Sequence, residues 1–446
     1  MDAEKKEALR KAFRNPTVFC ETVLGFKPTK YQRDLAEKFM WNQFVAARWC
    51  RQSGKSHIIS ALLLWYALTH PGCNIAVVGP SWRQSKLIIR KINSFLRKLP
   101  KRWYHKPLQT MVRLKNGSTI EAFPNNPETI RGPTLHIVYC DEMNFIADDE
   151  ELYDAILFTL GTTNGRFICS STPWSTDSVF YRIFNSPDYE DYARSHVTWK
   201  EAVEPNGPLK KRILKSIRRQ LKADPWRWRR EMEAEWAEDE NVWLPQDLIT
   251  RCIGTVRTLG FDLEYFRFED YVQGEFYIGG DFGKHRDHTV LAAVERKGNR
   301  LLLRYCHQFP LRTPYASVIG HMKVLSDRWH SVNATFLDKT GIGEYIIEDA
   351  KNAGVSNVEG ITFTEERKEE LATALKEQMT NGNLWIPYDE NLINELNTER
   401  FKLTKTGRIR FSHPPGTHDD RFWALALATY AAIRKKKKPS LLLKAY

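Results

Sequence analysis

A glycine, a lysine and a serine near the start of the chain stand in the order that phosphate-binding loops use. The segment RWCRQSGKS places Gly54, Lys55 and Ser56 between an apolar run and a helix-like run. In such a loop, backbone N–H groups and a helix N-terminus hold the phosphates, the lysine reaches the β and γ groups, and the hydroxyl holds Mg²⁺. Trp49 stands where the GxxxxGK[ST] pattern has its first glycine. The segment therefore predicts a nucleotide site with an unusual loop.

An acidic pair closes a buried strand farther along the chain. The strand LHIVYCDE ends in Asp141 and Glu142, which we expect to hold Mg²⁺ through water and to polarise the attacking water, respectively. Alone, the GKS segment is also consistent with a chance occurrence, and the acid pair with the cap of a helix. Together, the two motifs favour nucleotide hydrolysis. A third strand, FICSST, ends in hydroxyl residues that are predicted to sense the γ-phosphate and couple its loss to the rest of the protein: Ser170, Ser171 and Thr172.

A second set of acids lies in the other half of the chain. Asp281 ends YIGGD, Asp338 ends TFLD, and Asp419 and Asp420 open the last apolar helix. If this half has the strand order of the RNase H fold, its first and fourth strands are parallel neighbours, so Asp281 and Asp338 end side by side. The helix start then brings Asp419 or Asp420 across from them. Three such carboxylates bind two Mg²⁺ or Mn²⁺ ions in phosphodiester cleavage.

Short apolar strands alternate with helical segments in the first half. The runs VAA, NIAVVG, HIVYCDE and GRFICSST each read as a buried strand, and SWRQSKLIIRKINSFLRKL has helical periodicity. This alternation predicts an α/β domain with a parallel sheet covered by helices. The sequence VRLKNGSTIEAF predicts an inserted hairpin with a type I′ turn at Asn116 and Gly117.

Length and charge limit the classes of function. The 446 residues suit two domains and a connector. The net charge of +13 favours a polyanionic partner. The seven cysteines show no zinc-type spacing and suggest reduced thiols in a cytoplasm. The N-terminus lacks the apolar core of a signal peptide, and the longest apolar run, IISALLLWYAL, is too short to cross a bilayer, so no membrane role is expected.

Composition and motifs predict four segments. Residues 1–205 are expected to form a P-loop ATPase domain, and residues 206–270, which begin basic and Trp-rich, a helical lid and connector. Residues 271–434 are expected to form an RNase H-like nuclease domain, and residues 435–446 a basic tail.

The set RWCRQSGKS, IRGPTLHIVYCDE and ICSSTP resembles the ATPase domain of the large terminase subunit of tailed bacteriophages, the motor and nuclease that packages viral DNA. Loops of that family often lack the first glycine. The resemblance implies an adenine-reading element at Tyr31 and Gln32, a loop arginine acting in cis at Arg51, and an arginine acting on a neighbouring subunit's ATP at Arg131. Which arginine is the finger stays open. The implied nucleotide-binding residues are Tyr31, Gln32, Arg51, Gln52, Ser53, Gly54, Lys55, Ser56 and Asp141.

The second half is similar to the nuclease domain of the same family, which shows a GxDxG strand, an acid before a Gly-rich turn, and an acid pair heading an Ala/Leu-rich helix. GGDFG, LDKTGIGE and DDRFWALALA match these in order. Asp287 lies where many members carry a further acid that supports a metal. The implied fold is an ASCE-type, RecA-like P-loop domain followed by a RuvC/integrase-type RNase H-like domain. The implied cofactors are ATP with Mg²⁺ and two Mg²⁺ or Mn²⁺ ions.

The resemblance implies a motor that drives double-stranded DNA into a procapsid and cuts concatemeric DNA. Its implied partners are the portal protein and procapsid, a small terminase subunit, and further copies of the chain in a ring. The implied location is the host cytoplasm and the portal vertex during packaging, not the mature virion.

Other functions stay open at this point. One is a DNA helicase or translocase, which would need a second RecA-like lobe. Another is a resolvase- or integrase-like nuclease with a structural P-loop domain, and a third is a non-enzymatic DNA-binding scaffold. Neither the cutting rule nor the choice between Asp419 and Asp420 as metal ligand follows from the sequence.

Overall fold

The computed structural model describes residues 3–147, 149–237, 241–283, 287–340, 344–403, 409–414 and 417–434. The chain forms two compact units. The first comprises Met1–Glu238 and Thr255–Asp262, and the second comprises Asp239–Gly254 and Leu263–Tyr446. Residues 206–237 thus belong to the first unit. The predicted basic tail, 435–446, lies outside the described residues.

A seven-stranded sheet forms the centre of the first unit. Its order is β3-β4-β2-β5-β6-β1-β7, and every pair of neighbours is parallel except β3 and β4. The predicted α/β class with a parallel sheet is confirmed. The strands are β1 (Phe44–Trp49), β2 (Asn74–Val78), β3 (Met111–Arg113), β4 (Thr119–Ala122), β5 (Ile137–Asp141), β6 (Arg166–Ser171) and β7 (Tyr192–Val197).

Helices cover this sheet. α4 is apolar around most of its circumference, so its side chains are buried against the strands and its N-terminus is fixed at the sheet's carboxyl edge. The helices of this part of the chain are α1 (Ala3–Arg14), α2 (Pro16–Thr22), α3 (Lys30–Trp41), α4 (Lys55–Thr69), α5 (Trp82–Leu96), α6 (Pro127–Arg131), α7 (Asp149–Gly161), α8 (Val179–Asn185), α9 (Trp199–Ala202), α10 (Lys211–Gln220) and α11 (Pro225–Glu231). After α12 (Gln246–Arg251), which belongs to the second unit, α13 (Val256–Leu259) returns to the first.

The predicted hairpin forms, but its turn type is wrong. β3 and β4 pair antiparallel, as expected. A type I′ turn needs positive φ at both central residues, whereas Gly117 has φ +89° and Asn116 is not among the residues with positive φ. The N–H of Gly117 instead donates to the carbonyl of Leu114 at 3.2 Å, so a longer loop ends in a single left-handed glycine. The side-chain amide of Asn116 stabilises the observed backbone conformation, because it donates to the carbonyl of Ala67 at 2.8 Å.

The second unit has a six-stranded sheet of order β12-β11-β8-β9-β10-β13. β8 and β11, its first and fourth strands, are parallel neighbours, as the RNase H strand order requires. β8, β9 and β10 form an antiparallel meander. The predicted RNase H-like fold is confirmed. The strands are β8 (Val272–Asp281), β9 (Val290–Lys297), β10 (Arg300–Gln308), β11 (Trp329–Asp338), β12 (Val358–Ile361) and β13 (Leu384–Trp385), with a separate hairpin of β14 (Arg400–Leu403) and β15 (Ile409–Ser412).

The last helix lies directly on the backbone of β8. A Cβ at Gly279 would lie 2.1 Å from the carbonyl oxygen of Ala424 and 2.4 Å from the nitrogen of Ala428. The glycine of YIGGD and the small residues of the helix are therefore matched, and this close packing sets where the helix begins. The helices of the second half are α14 (Tyr315–Arg328), α15 (Glu344–Asn352), α16 (Glu365–Thr380), α17 (Glu390–Leu396) and α18 (Asp420–Arg434).

All seven cysteines are free thiols, six of them buried and Cys306 half-buried. Burial raises the pKa of several of these thiols to about 12, among them Cys20, Cys50 and Cys252. Among the described residues, no helix is both long enough and apolar enough to span a membrane.

Candidate functional site

Trp49, the residue in place of the loop glycine, points into the core. It ends β1, is fully buried, and donates from Nε1 to Oγ of Ser195 at 2.9 Å. The ring of Tyr31 meets it edge-on, with centroids 5.0 Å apart. A side chain directed away from the loop leaves the loop's backbone free to turn, so the bulky residue is compatible with phosphate binding.

Backbone conformation and hydrogen bonds fix the loop that follows. Gln52 and Gly54 both have positive φ, +62° and +83°, and Oγ of Ser53 donates to the carbonyl of Cys50 at 2.7 Å. A Cβ at Gly54 would lie 2.8 Å from Nε2 of Gln32. Only glycine therefore suits this position, which caps α4 and directs its first N–H groups outward.

Tyr31 and Gln32 brace the loop from outside. The hydroxyl of Tyr31 donates to the carbonyl of Ser53 at 2.8 Å, and Nε2 of Gln32 donates to the carbonyl of Gly54 at 3.4 Å. Oε1 of Gln32 also accepts the N–H of Thr29 in the capping box of α3. These contacts bring both residues to the loop, while their expected role in reading adenine stays a prediction.

The motif residues of the two strand ends meet in pairs. Nζ of Lys55 donates to Oε1 of Glu142 at 2.9 Å, and Oγ of Ser56 lies 3.4 Å from Oδ1 of Asp141. Both carboxylates lie at the carboxyl edge of β5. Asp141, Glu142 and Lys55 are buried, and Ser56 is half-buried. The phosphate loop and the acid pair, predicted from separate motifs, thus form one site.

The two acids have different electrostatic environments. Burial, followed by the adjacent charge of Glu142, raises the pKa of Asp141. Burial opposes ionisation of Glu142 as well, but Lys55 outweighs it and lowers the pKa of Glu142. Glu142 also adopts a left-handed backbone, φ +48°, which turns its side chain toward the lysine. A carboxylate held ionised next to a phosphate loop suits a base that polarises water.

The hydroxyl residues at the end of β6 contact both acids. Oγ of Ser171 and the N–H of Thr172 each donate to Oε2 of Glu142 at 3.1 Å. Oγ of Ser170 lies 3.4 Å from Oδ1 of Asp141. The segment predicted to couple hydrolysis to the rest of the protein is therefore bonded directly to the acid pair.

Two participants were missed by the sequence analysis. Nε2 of Gln84, in the first turn of α5, donates to Oδ2 of Asp141 at 3.1 Å. Glu231, the last residue of α11, accepts from Nη1 of Arg51 at 3.3 Å, and its carbonyl accepts the N–H of Arg51 at 2.8 Å. The parallel sheet order could have indicated Gln84, since it follows the strand next to β5. No pattern indicated Glu231.

The two candidate arginine fingers lie in different settings. Arg51 shares the carboxylate of Glu231 with Arg227, whose Nε is 3.0 Å away. Burial opposes ionisation of Glu231, but both arginines lower its pKa. Arg131 ends α6 near the protein surface, where it pairs with Glu128 and, at 3.9 Å, with Glu151. Arg51 thus belongs to the loop, and Arg131 does not contact it.

The second acid set lines one cleft in the second unit. The cleft has a volume of about 520 Å³. It is lined by all five predicted acids: Asp281, Asp287, Asp338, Asp419 and Asp420. The parallel pairing of β8 and β11 places the first and third of these at the same sheet edge, and the start of α18 brings the last two.

Three of the five acids of this cleft accept hydrogen bonds from neighbouring donors. Asp338 accepts the N–H of Thr340 at 2.8 Å, and Asp420 accepts the N–H of His288 at 3.2 Å. Oδ2 of Asp419 accepts from Nε1 of Trp423 at 2.7 Å. Asp419 and Asp420 both line the cleft, so the choice between them stays open.

Burial and the neighbouring acids destabilise the charged form of Asp281. Burial raises the pKa of Asp281 well above its ordinary range, and Asp420, Asp419 and Asp338 raise it further. Such a cluster is stabilised by a cation. No three of the described His, Cys, Asp or Glu side chains form a preassembled metal site, but a cleft lined by carboxylate oxygens has the donors that Mg²⁺ and Mn²⁺ prefer.

Sequence reasoning also missed two residues of the cleft. Glu399 is buried at its wall, and its Oε2 has no hydrogen-bond partner among the described residues. Nζ of Lys368 lies over the rings of Trp423 and Phe363, 4.7 and 5.5 Å from their centroids. Neither belongs to a motif, because each reaches the cleft from a segment outside those that carry the acids.

Two family models match the chain. The N-terminal model of the terminase large subunit, T4likevirus-type, matches residues 49–251, and the terminase RNaseH-like domain matches residues 278–431. The chain belongs to the terminase large-subunit family. As a large terminase subunit, it is an ATPase and a metal-dependent endonuclease.

Individual relatives are distant in sequence. The large terminase subunit of Thermus virus P23-45 is 23% identical over 91% of this chain and 88% of its own length. Among solved structures, the large terminase of bacteriophage HK97 matches with 14% identity, 94% of this chain, 99% of its own and a TM-score of 0.41. The nuclease of phage G20c matches with 23% identity, 43% of this chain, 97% of its own and a TM-score of 0.35.

Proposed function

We propose that this terminase large subunit hydrolyses ATP to drive double-stranded DNA into a procapsid and cleaves concatemeric DNA. The observation that carries the proposal is the presence of two separate acid sets, one bonded to a phosphate loop and one lining a cleft in an RNase H-like unit. A helicase would need a second RecA-like sheet, and the second unit instead has an RNase H strand order.

In the proposed ATPase site, the N–H groups at the start of α4 hold the phosphates and Lys55 binds the β and γ groups. Ser56 and Asp141 would hold Mg²⁺, which would neutralise phosphate charge, and Glu142 polarises the attacking water. Tyr31 and Gln32 read adenine. Arg51 neutralises phosphoryl charge in cis, and Arg131 does so for a neighbouring subunit. The segment Ser170–Thr172 passes changes at Glu142 to β6.

In the proposed nuclease site, Asp281, Asp338 and one or both of Asp419 and Asp420 would hold two Mg²⁺ or Mn²⁺ ions, and Asp287 would support one of them. When bound, the ions would supply an activated water and stabilise the leaving oxygen. The acids repel one another while they are charged, which favours cation uptake.

The partners we propose are double-stranded DNA, the portal protein and procapsid, and a small terminase subunit. A ring of subunits would place Arg131, on the surface of its unit, against a neighbour. The working location is the portal vertex in the host cytoplasm, not the mature virion. The four segments 1–205, 206–270, 271–434 and 435–446 remain our proposed division by role.

Two matched substitutions test the proposal. Glu142→Gln removes the charged base but keeps its shape, and we expect ATP turnover to fall by roughly 10²-fold or more while Mn²⁺-dependent plasmid cleavage persists. Asp281→Asn should do the opposite. ATP turnover is measured by phosphate release, cleavage by plasmid nicking, and packaging by the protection of DNA from DNase inside procapsids. Neither variant should complete a packaging cycle, because the cycle needs both ATP turnover and cleavage.

Each arm has an outcome that contradicts it. Persistent ATP turnover in Glu142→Gln would overturn the motor assignment, and persistent cleavage in Asp281→Asn would overturn the nuclease assignment. A wild type with nuclease activity but no ATP turnover would instead support a nuclease with a structural P-loop domain.

A further inference from the structure

The helix α10 presents one strongly basic face. Within residues 205–223 the sequence contains seven lysines and arginines and neither aspartate nor glutamate. Five of the cations lie on α10 itself, and we call them the basic stripe: Lys211, Arg212, Lys215, Arg218 and Arg219. At 3.6 residues per turn they fall within a sector of roughly 120°, and all five are exposed.

The opposite side of α10 fixes the orientation of the stripe. Leu214 is buried in a small cluster with Leu209 and Met232, and Ile217 and Trp228 pack against it. The stripe therefore faces away from the body of its unit. The guanidinium of Arg218 lies over the rings of Trp228 and Trp199, at 5.7 and 6.0 Å, which restrains it without using its N–H groups.

None of the five stripe cations forms a salt bridge within the described residues. The nearby Glu204 pairs with Lys210, outside the stripe, at 3.1 Å, and its other oxygen accepts the backbone N–H of Lys211. Lys211 and Lys215, and Lys215 and Arg219, are like charges four residues apart, a spacing that destabilises a helix. Folding alone does not favour this pattern, so a bound polyanion is the simplest reason for it.

Duplex DNA fits the stripe better than an acidic protein does. Protein interfaces have an apolar or aromatic core that carries most of the binding energy, whereas the stripe itself contains only cations. The exposed Ile213 lies outside it. Ten residues of helix extend about 15 Å, over which each DNA strand presents about four phosphates at a rise of 3.4 Å.

We infer that the basic stripe of α10 is a contact surface for the phosphate backbone of double-stranded DNA. The inference rests on the proposed function, in which this DNA is the translocated substrate. It adds a contact in the first unit, separate from the acids that cut DNA. Lys and Arg contacts of this kind release counterions and carry no sequence information, as a motor that moves any sequence requires.

The test compares a stripe variant of the full chain with a control variant of the same net charge and with a variant that keeps the wild-type charge. Lys215→Gln/Arg219→Gln removes two stripe cations and keeps helix propensity. Arg33→Gln/Lys38→Gln removes two cations of α3 that pair with acids, Glu21 and Asp34. A third variant, Lys215→Arg/Arg219→Lys, keeps the charge. Binding to a fluorescent 30-base-pair duplex is measured by anisotropy in EDTA at several salt concentrations.

We expect the stripe variant to bind at least about fivefold more weakly near 0.1 M salt, with a salt slope smaller by about 1.8. The α3 variant and the charge-keeping variant should match wild type, and all three should keep the basal ATP turnover. Since the substitutions relieve like-charge repulsion, thermal unfolding should confirm that the stripe variant folds.

Two results would overturn the inference: wild-type affinity and slope in the stripe variant, or equal weakening in the α3 variant. The first of these results, if the stripe variant also fails to package DNA, would point to an acidic protein partner. A wild-type protein that does not bind duplex DNA at all would contradict the proposed function itself, so the two failures are distinguishable.

Discussion

Lys55 and Glu142 bind each other in this structure, and both have a proposed task in ATP hydrolysis. The ammonium of Lys55 has three N–H donors, and one of them donates to Oε1 of Glu142. A phosphate oxygen bound by Lys55 would compete with this carboxylate for the ammonium and weaken its hold on the group on which water activation depends. Ser171 and Thr172 keep Oε2 in place during that exchange, so the base would stay oriented.

The same pair predicts a stability effect. Its side chains are 7% and 12% exposed, so Lys55→Met leaves a buried carboxylate without its cation. We expect the free energy of unfolding of the full chain to fall by about 3 kcal/mol, measured by urea denaturation at pH 7 without nucleotide. The double variant Lys55→Met/Glu142→Gln should recover at least half of the loss, because no buried charge remains.

Equal stability of the Lys55→Met and double variants would contradict this account. It would show that the hydrogen bonds from Ser171 and Thr172 are enough to hold the charge. Glu142→Gln alone serves as the control, since its amide oxygen can still accept from Lys55.

At the scale of elements, α11 connects the helical region after β7 to the phosphate loop. Its last residue, Glu231, binds Arg51 through both backbone and side chain. The cluster of Leu209, Leu214 and Met232 joins α10 to the same segment. A displacement of α10 would therefore be transmitted through this cluster and Glu231 to Arg51.

Glu231→Gln tests this connection. The amide keeps an acceptor but loses the charge that aligns Arg51 with Arg227, so we expect the kcat of ATP hydrolysis to fall by roughly tenfold with little change in KM. Arg51→Ala should lower kcat further, and plasmid cleavage should be unchanged in both. If Glu231→Gln has wild-type kcat while Arg51→Ala is impaired, Glu231 does not position the arginine.

The contact of β8 with α18 predicts a separate effect. Gly279→Ala would place a methyl group against the backbone of Ala424 and Ala428, so α18 must shift together with Asp419 and Asp420. We expect loss of most Mn²⁺-dependent cleavage and a lower unfolding temperature of the second unit. ATP turnover should persist, and Gly298→Ala, at a turn with no atom near its Cβ, is the control for plain loss of a glycine.

Normal cleavage by Gly279→Ala would contradict this prediction, because it would show that the helix can move without displacing the acids. Gly298 has positive φ, so its replacement carries a local backbone cost but leaves the cleft untouched.

At the scale of the whole molecule, the motifs predicted what each strand end carries, and parallel order then predicted which ends meet. Lys55 with Glu142, Ser56 with Asp141, and Asp281 with Asp338 follow from this rule. The family resemblance, not periodicity, supplied the position of Asp287 and the roles of Arg51 and Arg131.

Most of what the sequence did not predict depends on tertiary packing. Three of the missed residues reach their sites from segments that carry no motif: Glu231, Glu399 and Lys368. The prediction of a type I′ turn at Asn116 was wrong for the same reason. The side-chain amide of Asn116 donates to the carbonyl of the distant Ala67, and this contact overrides the local preference for type I′. Gln84 differs, because sheet order places it beside Asp141.

The state of the thiols has a practical consequence for measuring a motor. Alkylating dyes react with thiolates, and burial keeps native thiols such as Cys20 and Cys50 protonated, with pKa raised to about 12. A cysteine introduced at an exposed position such as Phe158, 82% exposed on α7, would react first. One fluorophore per subunit could then be attached to an otherwise unaltered chain, so that single-molecule fluorescence can count and follow subunits during packaging.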